Sequence, residues 1–167
     1  MTFDPKGILT RLREQEIHFV VIGGIAGVLH GSPYPTSDVD ICAASDFDNL
    51  EALVAALCFL GAREWDSQEE VEIERKWSTE TLRGQESWSM VTPLGHLNVF
   101  LKPPAIRGYE ELAQGAIEYE ISGGPIAVAH IEDVIRMKEE AARDSDRVVL
   151  PTLRKLAERR LAAGSDL

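Results

Sequence analysis

The sequence predicts an α/β fold (α+β in detail), a sheet flanked by helices with a helical C-terminal segment. It reads as one domain over residues 1–167, with C-terminal helices from about residue 131. Three observations carry this. Short β-branched runs bounded by glycine, such as Phe19-Val20-Val21-Ile22-Gly23-Gly24, read as strands. Stretches with apolar residues three and four apart read as helices lying on the sheet. Beyond about residue 131 only the helical pattern persists.

The elements follow in order. Asp4 and Pro5 suit the N-cap and first position of a helix whose stripe is Ile8, Leu9 and Leu12. After the strand Phe19–Ile22, Gly23-Gly24 allows a tight turn, and Ile25, Ala26, Val28 and Leu29 form a short helix ended near Gly31. His30, at that helix end, reads as a cation balancing the helix dipole. Pro33 and Pro35 make residues 32–36 a loop. The alternation around Asp38-Val39-Asp40-Ile41 predicts a half-buried strand. Ser45 then caps a helix from about Asp46 to Leu60, with Leu50, Leu53, Val54 and Leu57 as its stripe and Gly61 as its stop. Val71, Ile73 and Trp77 alternate with charged residues as in a strand. Ser87–Val91 and His96–Leu101 form a hairpin around Pro93-Leu94-Gly95. Tyr109–Leu112 predicts a short helix, and Ile117–Ile121 with Ile126–Ala129 a strand pair around Gly123-Gly124. Helices over about 131–143 and 146–162 close the chain, Pro151 implying a kink or a late start in the second.

The Asp pair carries the chemistry. Residues two apart on a strand share a face, so Asp38 and Asp40 project side by side. Paired carboxylates repel, and burying them is costly without a cation between them. A hard cation such as Mg²⁺, or Mn²⁺, takes carboxylate oxygens and leaves room for phosphate oxygens. The Gly23-Gly24 turn before a helix start offers backbone N–H groups to an anion. Lys138 falls on the apolar stripe of its helix with Ile131, Val134, Ile135 and Ala142. It reads as a lysine turned into the cleft, toward triphosphate or a carboxylate. Arg143 and Asp146 read as a local ion pair. Thr36 and Ser37 either position phosphate through their hydroxyls or shape the loop.

Composition sets limits. Hydrophobic content of 44% and charged content of 27% are those of a globular protein. The net charge of −11 argues against broad nucleic-acid binding through a basic face. No apolar run approaches a membrane span, and Met1-Thr2-Phe3-Asp4-Pro5 lacks a signal-peptide pattern. Cys42 and Cys58 sit in apolar stretches without metal spacing and read as reduced core cysteines of a cytoplasmic protein. The glutamates at 69, 70, 72 and 74 read as a solvated face, and the tryptophans at 65, 77 and 88 as packing residues.

These residues resemble the polymerase-β-like nucleotidyltransferases, whose signature is a strand, a Gly-Gly or Gly-Ser turn and then Asp-x-Asp on the next strand. Gly23-Gly24-Ile25-Ala26-Gly27-Val28-Leu29-His30-Gly31 and Thr36-Ser37-Asp38-Val39-Asp40 look like the small bacterial branch that includes AbiEii-type toxins. Leu97-Asn98-Val99-Phe100-Leu101 looks like the third core strand, and Asp133–Asp146 like the C-terminal helical motif. The resemblance runs from about Ile17 to Leu156. It implies a mixed sheet and a minimal Mg²⁺-dependent enzyme that passes a nucleoside monophosphate from a nucleoside triphosphate to an acceptor: RNA, protein or small molecule. Asp38, Asp40 and Asn98 would be its catalytic residues, with Asp38 and Asp40 on the metal. Gly23, Gly24, Thr36, Ser37 and Lys138 would bind nucleotide. The toxin branch allows an antitoxin partner. Two departures stand out. Asn98 replaces the third carboxylate, giving a carbonyl oxygen but no charge, and Tyr34 stands where many members carry a basic residue. The alternative is therefore a catalytically reduced protein that binds nucleotide or a partner.

Overall fold

The computed structural model describes residues 2–165; Met1, Asp166 and Leu167, the ends of the expected 1–167 domain, lie outside the described residues. The elements are α1 (Pro5–Glu14), β1 (Phe19–Ile22), α2 (Gly23–Leu29), β2 (Asp38–Ala43), α3 (Phe47–Phe59), β3 (Arg63–Asp66), β4 (Val71–Ile73), α4 (Thr79–Arg83), β5 (Ser87–Thr92), β6 (Gly95–Phe100), α5 (Tyr109–Gly115), β7 (Ile117–Ile121), β8 (Gly124–Val128), α6 (Ile131–Ala141) and α7 (Asp144–Ser165). The strands form one eight-stranded sheet in the order β4-β3-β5-β6-β2-β1-β8-β7. The sheet is mixed: β2 pairs parallel with β6 and β1 parallel with β8, while the other pairs are antiparallel.

The core forms because the central strands are apolar on alternate or all positions. β1 is buried at every residue, as expected for a strand covered on both faces. Ile8, Leu9 and Leu12 of α1, Leu50, Leu53 and Leu57 of α3 and Val134 of α6 are all at or near zero exposure, so most of each predicted stripe is buried. Val54 is only half-buried, and Ala142 falls outside its stripe because it ends α6 in a left-handed turn. α2 packs on β1, β2 and α6, and α6 packs on α7. This stacking brings the C-terminal helices over the strand ends that carry the Asp pair.

Several local expectations change. Gly23 and Gly24 are the first turn of α2 itself. Asp46, not Ser45, caps α3 by accepting from the Asn49 N–H. β3 and α4 carry too little periodicity to be read: β3 is half-exposed and mostly charged, and α4 is a five-residue turn capped by Ser78. Trp77 lies outside any strand, where it meets Trp88 edge-on and donates its indole N–H to the Ala62 carbonyl. Helix α7 starts at Asp144 and runs through Pro151. Cys58 is exposed, because it lies on the outer face of α3; only Cys42 is a core cysteine. His30 is buried rather than a surface cation. Its Nε2 meets the Ala129 carbonyl at 2.7 Å and its Nδ1 the Tyr119 hydroxyl at 3.3 Å. Burial holds its pKa below the usual imidazole range, so it is neutral at pH 7 and ties α2 to the β8–α6 junction.

Candidate active site

Asp38 and Asp40 leave the same face of β2, separated by the fully buried Val39. In the parallel pairing Asp40 stands opposite Asn98 of β6, and in the next pairing Asn98 stands opposite Ser89 of β5. One row of side chains thus crosses three strands. The Asn98 amide nitrogen donates to Asp38 Oδ2 at 3.0 Å and to Asp40 Oδ1 at 2.8 Å. Its carbonyl oxygen accepts from the Ser89 hydroxyl at 2.8 Å. The amide thus turns its hydrogens, not its oxygen, to the carboxylates. Two like charges on one face need a donor between them, and an NH₂ group supplies two hydrogens in a fork. A serine hydroxyl can also accept, so Ser89 tolerates either orientation of the amide.

Burial, and then the charge of Asp38, push Asp40 up to about 6. Asp38 is held from the other side: Thr36 Oγ1 donates to its Oδ1 at 3.0 Å. Thr36 also fills the space a Gly24 side chain would need, since an added Cβ there would lie 2.6 Å from Thr36 Oγ1. Gly23 has φ +63°, and a Cβ on it would stand 2.0 Å from Asp40 Oδ2. Only glycine satisfies both the backbone and the carboxylate at that position.

The carboxylates open onto a cleft of about 420 Å³. Gly24, Tyr34, Thr36 and Ser37, from α2 and the loop after it, and Lys138, Arg143 and Asp146, from the α6–α7 region, line it. Asp146 organises the second group. It is 1% exposed and accepts from Lys138 Nζ at 3.0 Å and Arg143 Nε at 2.9 Å. Burial pushes its carboxyl up, but those two cations outweigh burial and hold it below the usual carboxylate range. Both cations also lie near enough to Asp40 to favour its charged form.

The structure brings Asp38, Asp40, Asn98, Gly24, Thr36, Ser37 and Lys138 to one place, with Gly23 behind Asp40 and off this cleft. Sequence reasoning linked Arg143 to Asp146 but missed that Lys138 joins them. It also missed Ser89. The signal was there: a turn pairing Thr92 with Gly95 fixes a register that puts residue 89 opposite 98. Asp38 and Asp40 are candidates for a hard cation because both reach the single point where the Asn98 NH₂ now sits. Among the described residues no cluster of three or more His, Cys, Asp or Glu side chains forms a closed metal site. Two carboxylates that leave the remaining positions to phosphate and water fit a Mg²⁺-type ion.

No family model matches the sequence, and no curated protein matches it. Solved structures do. The lincosamide antibiotic adenylyltransferase LnuA, lincomycin-bound, aligns with TM-score 0.61 at 13% identity over 93% of this chain and 99% of its own. ANT(2'')-Ia in complex with adenylyl-2''-tobramycin aligns with TM-score 0.54 at 18% identity, over 95% and 87%. A nucleotidyltransferase-like protein from Paracoccidioides brasiliensis aligns with TM-score 0.52 at 19% identity, over 89% and 72%. The chain therefore has the nucleotidyltransferase fold. It holds Asp38 and Asp40 on a central strand of that fold, beside a cleft.

Proposed function

We propose that this protein transfers a nucleoside monophosphate from a nucleoside triphosphate to an acceptor hydroxyl, with Mg²⁺ or Mn²⁺. The observation that carries it is the convergence of Asp38 and Asp40 on one point, in a cleft that Lys138 and Arg143 also line. Anionic oxygens and cations lining one cleft suit a metal-bound triphosphate. Asp38 and Asp40 would hold the metal, which when bound supplies charge neutralisation at the reacting phosphate. Lys138 and Arg143 bind the triphosphate tail, and Asp146 positions both. Gly24, with Thr36 packed against it, lines the entry, and Thr36 orients Asp38; Ser37 lies at the rim. The acceptor oxygen attacks the α-phosphorus, the bond to the oxygen leading to the β-phosphate breaks, and pyrophosphate leaves. Asn98 has no proton-accepting group, so Asp40 receives the acceptor's proton.

The neighbours named for antibiotics support a small-molecule acceptor over an RNA or protein one, and this reading needs neither a toxin-branch kinship nor an antitoxin partner. Among the described residues no helix is long and apolar enough to cross a membrane. A second reading is favoured by one observation. The Asn98 NH₂ stands between the carboxylates, as it would in a nucleotide- or partner-binding protein with reduced catalysis. Calorimetric titration with a non-hydrolysable ATP analogue, with and without Mn²⁺, and pyrophosphate release over a panel of hydroxyl compounds separate the two. Metal-dependent binding with release supports transfer. Binding with no release across the panel supports the second reading, and no binding at all removes transfer and leaves only the partner-binding form of the second.

A further inference from the structure

Behind Asp40, away from the cleft assigned to the triphosphate, lies a second cavity of about 160 Å³. The two share Asp40, Lys138 and Arg143 as walls. Their remaining linings differ in kind. The first adds mostly hydroxyls, glycine backbone and the carboxylates Asp38 and Asp146; the second adds mostly apolar side chains, Ile22, Phe100, Pro104, Val134, Met137 and Ala141. Val134 and Met137 are core side chains, 1% and 6% exposed, that line it.

Asp40 presents a separate oxygen to each function. Its Oδ1 accepts from Asn98. Its Oδ2 lies against Gly23, which lines the second cavity, and the described residues give Oδ2 no hydrogen-bond donor. Any side chain at position 23 would occupy the ground between that oxygen and the cavity. A hydrogen-bond acceptor thus stands beside a mostly apolar space whose other charged walls are Lys138 and Arg143, and a cavity of about 150 Å³ with largely apolar walls holds one benzene-sized ring. A nucleobase suits this space less well than an apolar ring, because the Phe100, Val134 and Met137 side leaves ring nitrogens and exocyclic groups without partners.

The geometry points to this cavity as the acceptor subsite: it takes one apolar ring of a small molecule whose hydroxyl donates to Asp40 Oδ2. The inference rests on the nucleotidyl-transfer reading of the adjoining cleft. On that reading the hydroxyl oxygen forms the new bond to the α-phosphorus, its proton passes to Asp40 Oδ2 and then to solvent, and pyrophosphate leaves with the electron pair of the broken P–O bond. Phe100, Val134 and Met137 set specificity through shape, and Asp40 through the hydrogen bond it accepts beside Lys138 and Arg143.

The test uses the full chain with ¹³C-methyl methionine. Of its three methionines, Met90 is fully buried elsewhere and Met137 lines the cavity. Benzyl alcohol, added without nucleotide, should shift the Met137 methyl saturably and leave Met90 in place. Toluene, the same ring size without the hydroxyl, should bind about tenfold more weakly, as the loss of one charge-assisted hydrogen bond requires. Ala141→Phe, which fills the cavity from its wall, should abolish the response while the Met90 signal reports an intact fold. Ala141→Leu serves the same purpose if the larger residue unfolds the chain. An ATP analogue with Mg²⁺ should leave the benzyl alcohol response unchanged. A silent Met137, toluene binding as tightly as benzyl alcohol, a response that survives the filled cavity, or displacement by the nucleotide each overturns the inference. None of these measurements needs turnover. A chain that binds benzyl alcohol in this way but never releases pyrophosphate would sink the transfer reading alone.

Discussion

Asn98 gives each of two facing carboxylates one hydrogen of its amide, and much of the site's behaviour follows from that contact. Replacing it by aspartate keeps the shape and removes the donor. Asn98→Asp should lower metal-free stability by about 2 kcal/mol, since a third anion joins two others. Mn²⁺ should restore it, because a ligand bound only by the folded state stabilises that state. Metal affinity and turnover should both rise. Thermal melts in EDTA and in Mn²⁺ check the first part; a variant as stable as the parent without metal would show that the amide is not what holds the carboxylates together. Asp40 has its own signature. Its pKa is raised from 3.8 to about 6, so the fold prefers it protonated. That contribution is complete below pH 3.8 and is lost as pH rises toward about 6, so the ionised form weakens the metal-free fold at neutral pH. Asp40→Asn should therefore stabilise the metal-free protein at about pH 8, by up to about 3 kcal/mol, and change little near pH 4. Urea titrations at the two pH values decide it, and an equal effect at both would show that another group sets the dependence.

The α6–α7 junction is the element on which the cationic wall depends. Asp146, at 1% exposure, holds Lys138 at 12% side-chain exposure and the more open Arg143. Removing a buried partner strands a charge, so Asp146→Ala should cost about 3 kcal/mol and weaken triphosphate binding. A variant that melts like the parent would mean the pair contributes nothing to the fold. Ala142, between the helices, adopts the left-handed conformation with φ 49° while its N–H bonds the Lys138 carbonyl at 2.9 Å. Ala142→Gly should add about 0.5–1 kcal/mol, because glycine takes that conformation without a side-chain clash; a destabilised variant would refute this. The sequence made these helices legible through their apolar stripes, and it made the Asp pair legible because carboxylates alternate with Val39 and Ile41. It did not reveal the three-way clamp at Asp146, since one carboxylate serving two cations depends on where α7 begins. Nor did it reveal β3 and α4, whose few residues are too charged or too short to carry a period. Neutral, buried His30 was hidden for a related reason: its partners, Ala129 just after β8 and Tyr119 on β7, lie far along the chain.

At the scale of the whole molecule, net charge opposes the ligand. The chain carries −11, and a triphosphate is itself an anion. The Debye length contracts from about 30 Å at ~0.01 M salt to about 8 Å at ~0.15 M. Screening should remove the long-range repulsion while leaving the contacts proposed for Lys138 and Arg143 in force. Nucleotide association, followed by stopped-flow with a fluorescent analogue, should accelerate over that range; a slowing would mean the local cations govern approach as well as grip. The row Asp40–Asn98–Ser89 carries one last implication, for the order of events in folding. The β5–β6 hairpin closes a short loop and can form early. The parallel pairing of residues 38–42 with 96–100 must wait for a long loop to close. The carboxylates meet their amide only then, so during refolding from denaturant the capacity to hold a nucleotide should appear with the slowest phase, after most of the helical signal has returned.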